Sequence, residues 1–293
     1  MAELFGRVAI IGIGLIGSSI ARALKENDVC REIVVGDINA AHGRRAEELG
    51  LCVAAHTDVA KAVDAADLVI LCTPMSTYES IAERIAPALK QRAVVTDVGS
   101  VKQAAIKAVK PRLPSHARWI AGHPVAGTEN SGPDAGFATL FKGRWCIVTP
   151  ESDTDADAQA QVQAMWTAFG SNVVSMDAEH HDLVLAITSH LPHLIAYTIV
   201  GTATDLEMTL QSEVIKFSAG GFRDFTRIAA SDPIMWRDVF LNNREAVLEM
   251  LQRFTEDLSH LQRAIRWGEG HKLEELFTRT RSIRRSIIEA KQA

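Results

Sequence analysis

The chain has 293 residues, enough for one large domain or two ordinary ones, and its 47% apolar, 23% charged and 6% aromatic side chains are the composition of a soluble globular protein. Its 36 acidic and 31 basic side chains leave a formal net charge of -5, and the basic ones are spread along the chain, so no electrostatic footprint for nucleic acid is present and a small-molecule substrate is expected. No window of about 18 uninterrupted apolar residues argues for a membrane span, and the widely spaced Cys30, Cys52, Cys72 and Cys146, behind a start "MAELFGRVAIIG" with no cleavable signal, suit reduced thiols in a cytoplasm.

The first element is "RVAIIGIGLIGSSIARALKEN", residues 7–27. Residues 8–11 are a continuous apolar run of the kind buried on both faces of a parallel sheet, and Ile20, Ala21, Ala23 and Leu24 suit a following helix. Between them lies G-x-G-x-x-G. Gly12 is read as the tight turn, Gly14 as the point where backbone approaches a pyrophosphate, and Gly17 as the close packing of helix on strand, with Leu15 and Ile16 inside the loop. A second strand, "EIVVGD", ends in Asp37, placed to accept the two hydroxyls of an adenosine ribose. A carboxylate there repels a 2'-phosphate and favours NAD, with NADP the lesser alternative because Arg44 and Arg45 follow in the next helical stretch.

The alternation continues with a strand at 67–73, a helix at 76–89, a strand at 93–100, and two more strands in "WIAGH" and "RWCIVTP". Ligands of such sheets sit beyond the carboxyl ends of the strands, where Thr73, Pro74, Ser100 and His123 all fall. A lone histidine is more often a satisfied core residue, but three consecutive strand ends aimed at one cofactor are hard to attribute to packing. From 177 onward no strand-like run appears. "AEHHDLVLAITSHLPHLIAYTIVGTATDLE" reads as a long helix that Pro192 should kink or break. "DPIMWRDVFLNNREAVLEMLQRFTEDLSHLQRAI" opens with Asp232 as N-cap and Pro233 at the first helical position, and a last helix starts near Lys272. The expected division is residues 1–176 as a dinucleotide-binding domain and 177–293 as a helical domain that binds substrate and, given its apolar surface, pairs with a second copy in a homodimer.

"GIGLIGSS", "DVGSVK" at 97–102, "GHPVAGTE" at 122–129, "SHLPH" at 189–193 and "GGFRDFTRIAASDPIMW" at 220–236, in that order, resemble the prephenate/arogenate (cyclohexadienyl) dehydrogenases over essentially the whole chain. The resemblance implies an α/β fold with a Rossmann-type, doubly wound, mostly parallel sheet, followed by an all-helical dimerisation and substrate domain. It implies oxidative decarboxylation of prephenate to 4-hydroxyphenylpyruvate, or of arogenate to tyrosine, with hydride passing to NAD. His123, in "HP-x-AG", would accept the 4-hydroxyl proton, a task for a neutral imidazole near neutral pH. Ser100 would orient that imidazole or touch hydroxyl and nicotinamide; its alternative role is N-cap of "VKQAAIKAVK". Arg227 matches the family's carboxylate-binding arginine, with Arg223 its competitor and Asp224 between them. His193 would hold the substrate, and Gly220, Thr128, Glu129 and Trp236 would line the pocket, Glu129 through an ion pair that gates entry.

Three other readings stay open. His180, His181, His190 and His193 lack a carboxylate or cysteine pattern for zinc, so no metal is expected. A beta-hydroxyacid dehydrogenase would use a catalytic lysine, with Lys102 and Lys216 as candidates, and a non-catalytic NAD-responsive regulator would need neither the histidine nor the arginine.

Overall fold

The computed structural model describes residues 3–128, 130–205, 213, 216 and 219–289. Its apolar runs become strands with both faces covered. In β1 (Phe5–Ile11), Val8 and Ile10 join one buried cluster while Ala9 and Ile11 join the other, because successive side chains of a strand point to opposite faces. The same division holds for Leu68 and Ile70 against Val69 and Leu71 in β4 (Leu68–Leu71). Two helical layers thus make the continuous apolar runs necessary. The first is built on α1 (Leu15–Glu26) and α6 (Ala156–Ala168), the second on α4 (Tyr78–Ile85) and α5 (Lys102–Val109).

With β2 (Cys30–Gly36), β3 (Ala54–His56), β5 (Val94–Asp97) and β6 (Arg118–Ile120), these strands form a six-stranded parallel sheet of order β3-β2-β1-β4-β5-β6. The order reverses between β1 and β4, which opens a crevice above their carboxyl ends. The helices α2 (Ala40–Glu48) and α3 (Val59–Ala62) flank β3. Short, half-buried β3 and β9 (Asn172–Ser175) carry too little apolar patterning to be expected from sequence.

Of the two strands expected in "WIAGH" and "RWCIVTP", only the first two residues, Trp119 and Ile120, extend the main sheet, in β6. The chain leaves that sheet after Ile120 and re-pairs as β7 (Gly122–Pro124), antiparallel to β8 (Trp145–Val148), which in turn runs parallel to β9. His123 sits in the middle of β7 opposite Ile147.

Beyond Ser175 the structure is helical. Asp177 caps α7 (Ala178–Leu185) by accepting from the His180 amide at 2.8 Å. A π-turn at Ala186–His190 then leads into α8 (Leu191–Thr204). Pro192 therefore does not end the helix: the wider turn before it absorbs the missing N–H and the ring. The segment Ala178–Thr204 is long and apolar enough to span a bilayer, with a mean hydropathy of 1.6. His181, Asp182 and His190 are buried along it, whereas Leu183, Ile187 and Ile199 are exposed.

Helix α9 (Gly220–Thr226) precedes α10 (Pro233–Asn242), whose N-cap is Asp232, accepting from the Met235 amide at 2.8 Å. The helix expected to run on to residue 265 breaks at Asn243 and restarts as α11 (Arg244–Arg266). A turn at Gly268 leads to α12 (Gly270–Glu289), two residues earlier than expected. By packing, residues 1–244 form one compact unit and 245–293 another.

Candidate active site

The glycine loop joins β1 to α1 at the crevice. Gly12 has φ +95, and a Cβ there would lie 2.7 Å from the Cys72 carbonyl; a Cβ on Gly17 would lie 2.0 Å from the Gly12 carbonyl, so neither position admits a side chain. Gly14 faces open space at the start of α1, where no side chain caps the helix and no acidic residue lies in the first turn. That leaves a helix N-terminus ready for an anion, with Leu15 and Ile16 as its first two residues.

Asp37 is fixed through both of its carboxylate oxygens. One oxygen takes the Ile13 amide at 2.9 Å and the other the Asn39 amide at 2.8 Å, leaving lone pairs on both. Beside it Ile38 is 90% exposed, an apolar side chain that sequence reasoning passed over and that suits the flat face of a base. Across the crevice Thr73 and Pro74 follow β4, with the Thr77 hydroxyl donating to Thr73 at 2.8 Å. Arg45 is occupied elsewhere: its guanidinium forks onto Asp134 at 2.7 and 3.0 Å. Arg44 stays exposed at a depression of about 310 Å³ that Asp37, His56 and Lys61 also line.

His123 lies at the head of a chain of three side chains. Its Nδ1 is 2.8 Å from His181 Nε2, and His181 Nδ1 is 2.8 Å from Asp182 Oδ1. Asp182 also accepts the backbone amides of Lys102 at 2.7 Å and Gln103 at 3.0 Å, so it is an acceptor at both oxygens. The proton positions follow. Asp182 takes the N–H of His181 Nδ1, which leaves a lone pair on His181 Nε2; that lone pair takes the N–H of His123 Nδ1, which leaves the lone pair of His123 on Nε2. Nε2 makes no hydrogen bond to any described residue. Burial, aided by the charges of His181, Lys102 and His190, holds the His123 pKa well below 6.5. The ring is therefore neutral at neutral pH.

Ser100 does not take the orienting role expected of it. The partner of His123 Nδ1 is His181, and the N-cap residue of α5 is Val101, whose following amides are capped across the fold by Asp182. Ser100 lies three residues beyond the end of β5. His181 and Asp182 were missed as a pair, and a histidine followed by an acid at a helix start was the sole available signal.

A second group gathers around Trp236. His193 stacks on its indole with ring centroids 3.6 Å apart, and His190 meets it edge-on at 6.1 Å. The indole packs within its own chain on Val101 and Val239, so Trp236 is core and site neighbour at once. Asn243 donates to His190 Nδ1 at 3.0 Å, which leaves a buried N–H on His190 Nε2; neither it nor Trp236 Nε1 has an acceptor among the described residues. Arg227 follows α9, which begins at Gly220, and its charge reaches His193, whose pKa burial and that charge hold down. Arg223 and Asp224 are exposed on the same short helix. Thr128 is exposed after β7 and accepts the Asn130 amide at 3.3 Å, while Glu129 lies outside the described residues.

Lys102 is fully buried and paired with Asp97, which removes it as a free amine for the hydroxyacid-dehydrogenase reading. Burial lowers its pKa, offset by the carboxylates of Asp97 and Asp182. Among the described residues no cluster of three or more metal-binding side chains occurs.

The histidines also set a pH limit on stability. His123, His181, His190 and His193 all have folded pKa values below 6.5, chiefly through burial, with His190 at about 4. Once unfolded they bind protons near 6.5, so stability is complete above that pH and falls as pH drops toward the folded values, by about 3 kcal/mol for His190 alone. Thermal unfolding should therefore show a lower midpoint at pH 5 than at pH 7. An unchanged midpoint would place these rings in contact with water.

Comparison with known proteins bears on the family and the fold. The family model described as the prephenate dehydrogenase nucleotide-binding domain matches residues 20–175, and that described as the prephenate dehydrogenase dimerization domain matches residues 177–279. The cyclohexadienyl dehydrogenase of Zymomonas mobilis is 43% identical over 97% of this chain and 96% of its own length. The prephenate dehydrogenase of Bacillus subtilis is 34% identical over 94% of this chain and 74% of its own. Among solved structures, prephenate dehydrogenase from A. aeolicus in complex with hydroxyphenyl propionate and NAD+ superimposes with a TM-score of 0.90 at 36% identity, covering 96% of this chain and 98% of that one. Synechocystis arogenate dehydrogenase gives a TM-score of 0.79 at 26% identity, covering 95% and 98%.

Proposed function

This chain belongs to the prephenate dehydrogenase family, and from that premise we propose that it oxidises and decarboxylates a cyclohexadienyl substrate, prephenate or arogenate, with NAD as hydride acceptor. The observation that carries the reading is the chain His123–His181–Asp182, which presents a neutral, base-competent Nε2 at the carboxyl end of the sheet. The residues present fit the cofactor: the uncapped start of α1 for the pyrophosphate, Asp37 for the adenosine ribose, and Thr73, Pro74 and Ser100 along the crevice. When bound, NAD accepts the hydride that leaves C4 of the substrate.

His123 Nε2 takes the proton of the 4-hydroxyl as the C4 carbonyl forms. The positive charge that arrives on its ring is shared through Nδ1–H to His181 and from there to Asp182, so the acceptor strengthens as the proton moves. Loss of the C1 carboxylate as carbon dioxide leaves its electron pair in the ring and makes it aromatic. The protein's remaining task is orientation. Arg227 addresses a substrate carboxylate, and His193 and Trp236 hold the ring and its second carboxylate, with Gly220 and Thr128 at the rim.

These groups address the ring, its hydroxyl and the two carboxylates, which prephenate and arogenate share, so both should be accepted. The test is NADH formation at 340 nm with each substrate offered separately. No turnover of either, from folded protein that binds NAD, would refute the reading.

Cofactor choice follows from Asp37. Replacing it with serine removes the ribose acceptor and its repulsion of a 2'-phosphate, while leaving Arg44 and Lys61 nearby. NAD should bind about tenfold more weakly, as expected for loss of a charge-assisted hydrogen bond, and NADP should improve. Parallel KM measurements with both cofactors check this.

The protein is further proposed to be a cytoplasmic homodimer, with residues 1–176 binding the dinucleotide and 177–293 the substrate and a second copy. Two observations support it: a dimerization-domain match at 177–279, and apolar Leu183, Ile187 and Ile199 exposed along α7, the π-turn and α8. All four cysteines are free thiols, as a reducing compartment would keep them.

A further inference from the structure

We propose that Lys102 is a positioning residue for the reaction, because it grips both ends of the proton chain: its side chain holds the peptide that carries His123, and its backbone amide holds Asp182. The inference rests on the reaction proposed above.

The grip arises where the chain changes sheets. Residue 121 separates the last pair of the parallel ladder, at Ile120, from the first of the antiparallel one, at Gly122. The cross-strand bond at this end runs from the Thr149 amide to the Ala121 carbonyl at 3.0 Å, so the polar groups of Gly122 must find partners elsewhere. Its N–H donates to Asp97 Oδ1 at 3.1 Å, and its carbonyl accepts from Lys102 Nζ at 2.5 Å. Lys102 Nζ also meets Asp97 Oδ2 at 2.5 Å, and Asp97 is held in turn by the Gly99 amide at 2.9 Å. One buried ion pair thus substitutes for a ladder on both sides of the residue that precedes the catalytic histidine. At the other end, the Lys102 amide donates to Asp182 Oδ1, the same oxygen that receives His181 Nδ1–H. A shift of α5 would therefore move the base and its terminal acceptor together.

A buried ion pair is weak as a source of stability, since an apolar pair of similar volume often serves as well. Its retention is better explained by the fixed geometry it imposes. The charged and titratable groups around it are His181 and His190, which act on His123, Asp97, Asp182 and Cys146, which act on Lys102, and Tyr78 and Cys72, which act on Asp97.

The test uses full-length protein with NAD and whichever substrate the wild type turns over. Two variants are compared, Lys102→Met and the charge-neutral Lys102→Met/Asp97→Asn, each checked for cooperative unfolding and NAD binding. In a folded variant, kcat should fall about 10- to 100-fold with the KM for NAD unchanged, the loss typical of a misplaced acid–base group. The acid limb of the kcat/KM profile should also move to higher pH, because His123 loses a neighbouring positive charge. A lysine with no bearing on His123 would leave both kcat and that limb unmoved. Wild-type kcat and an unmoved limb in a folded variant would overturn the proposal, and so would failure of both variants to fold, which would make the pair a structural staple. Absence of turnover by the wild type itself would instead overturn the reaction reading.

Discussion

Replacing His123 with asparagine should lower kcat about 10³-fold, the middle of the range for loss of a general base, with NAD binding unchanged. Asparagine keeps a polar side chain of modest size in β7 opposite Ile147 but offers no group that can take up a proton near neutral pH. The cofactor cleft is built from other segments, at Gly12, Asp37 and Thr73, so it should be unaffected. Steady-state NADH formation together with fluorescence titration of NAD separates the two effects. A variant retaining more than about a tenth of wild-type kcat would remove His123 from the role of base.

Asp182→Ala should have the second largest effect, a loss in kcat of about 10²-fold joined to a loss of stability. The carboxylate fixes the His181 tautomer; without it His181 is free to carry its proton on Nε2, which forces His123 to turn a lone pair inward and present N–H to the substrate. The imidazolium formed during turnover also loses its distant counter-charge. The same substitution uncaps α5 at the Lys102 and Gln103 amides, at a cost of about 1–2 kcal/mol. Kinetics and urea unfolding on the same preparation measure both. Unfolding that shifts while kcat holds would leave Asp182 as a cap and remove it from the proton chain.

Much of the fold was legible because its signals are local. The runs at Val8–Ile11 in β1 and Leu68–Leu71 in β4 are apolar at every position since each feeds two helical layers, and the glycine spacing with Asp37 follows from steric needs within about 30 residues. The change of sheet at Ala121 was not legible, because "WIAGH" reads as one strand and its break depends on Asp97 and Lys102 from elsewhere in the chain. The site divides in the same way. His123, Arg227 and His193 could be named from motifs, whereas the partner of His123 lies 58 residues away and only the acid that follows it sets His181 apart from the other nine histidines. Ser100, just past the end of its strand, is the expected orienting group for the same reason: the true pairing is tertiary and leaves no mark beside His123.

The central claim is that His123 is a neutral base in the free enzyme, held in one tautomer by His181 and Asp182. The most direct measurement is the pH dependence of kcat/KM with prephenate under saturating NAD, which reports the titration of the enzyme before substrate binds. The account predicts that activity persists as pH falls through 6.5 and is lost only well below it, because burial and the neighbouring charges of His181, Lys102 and His190 disfavour the protonated ring. An acid limb at or above 6.5 would mean a solvated or carboxylate-paired histidine, and would contradict the proton chain.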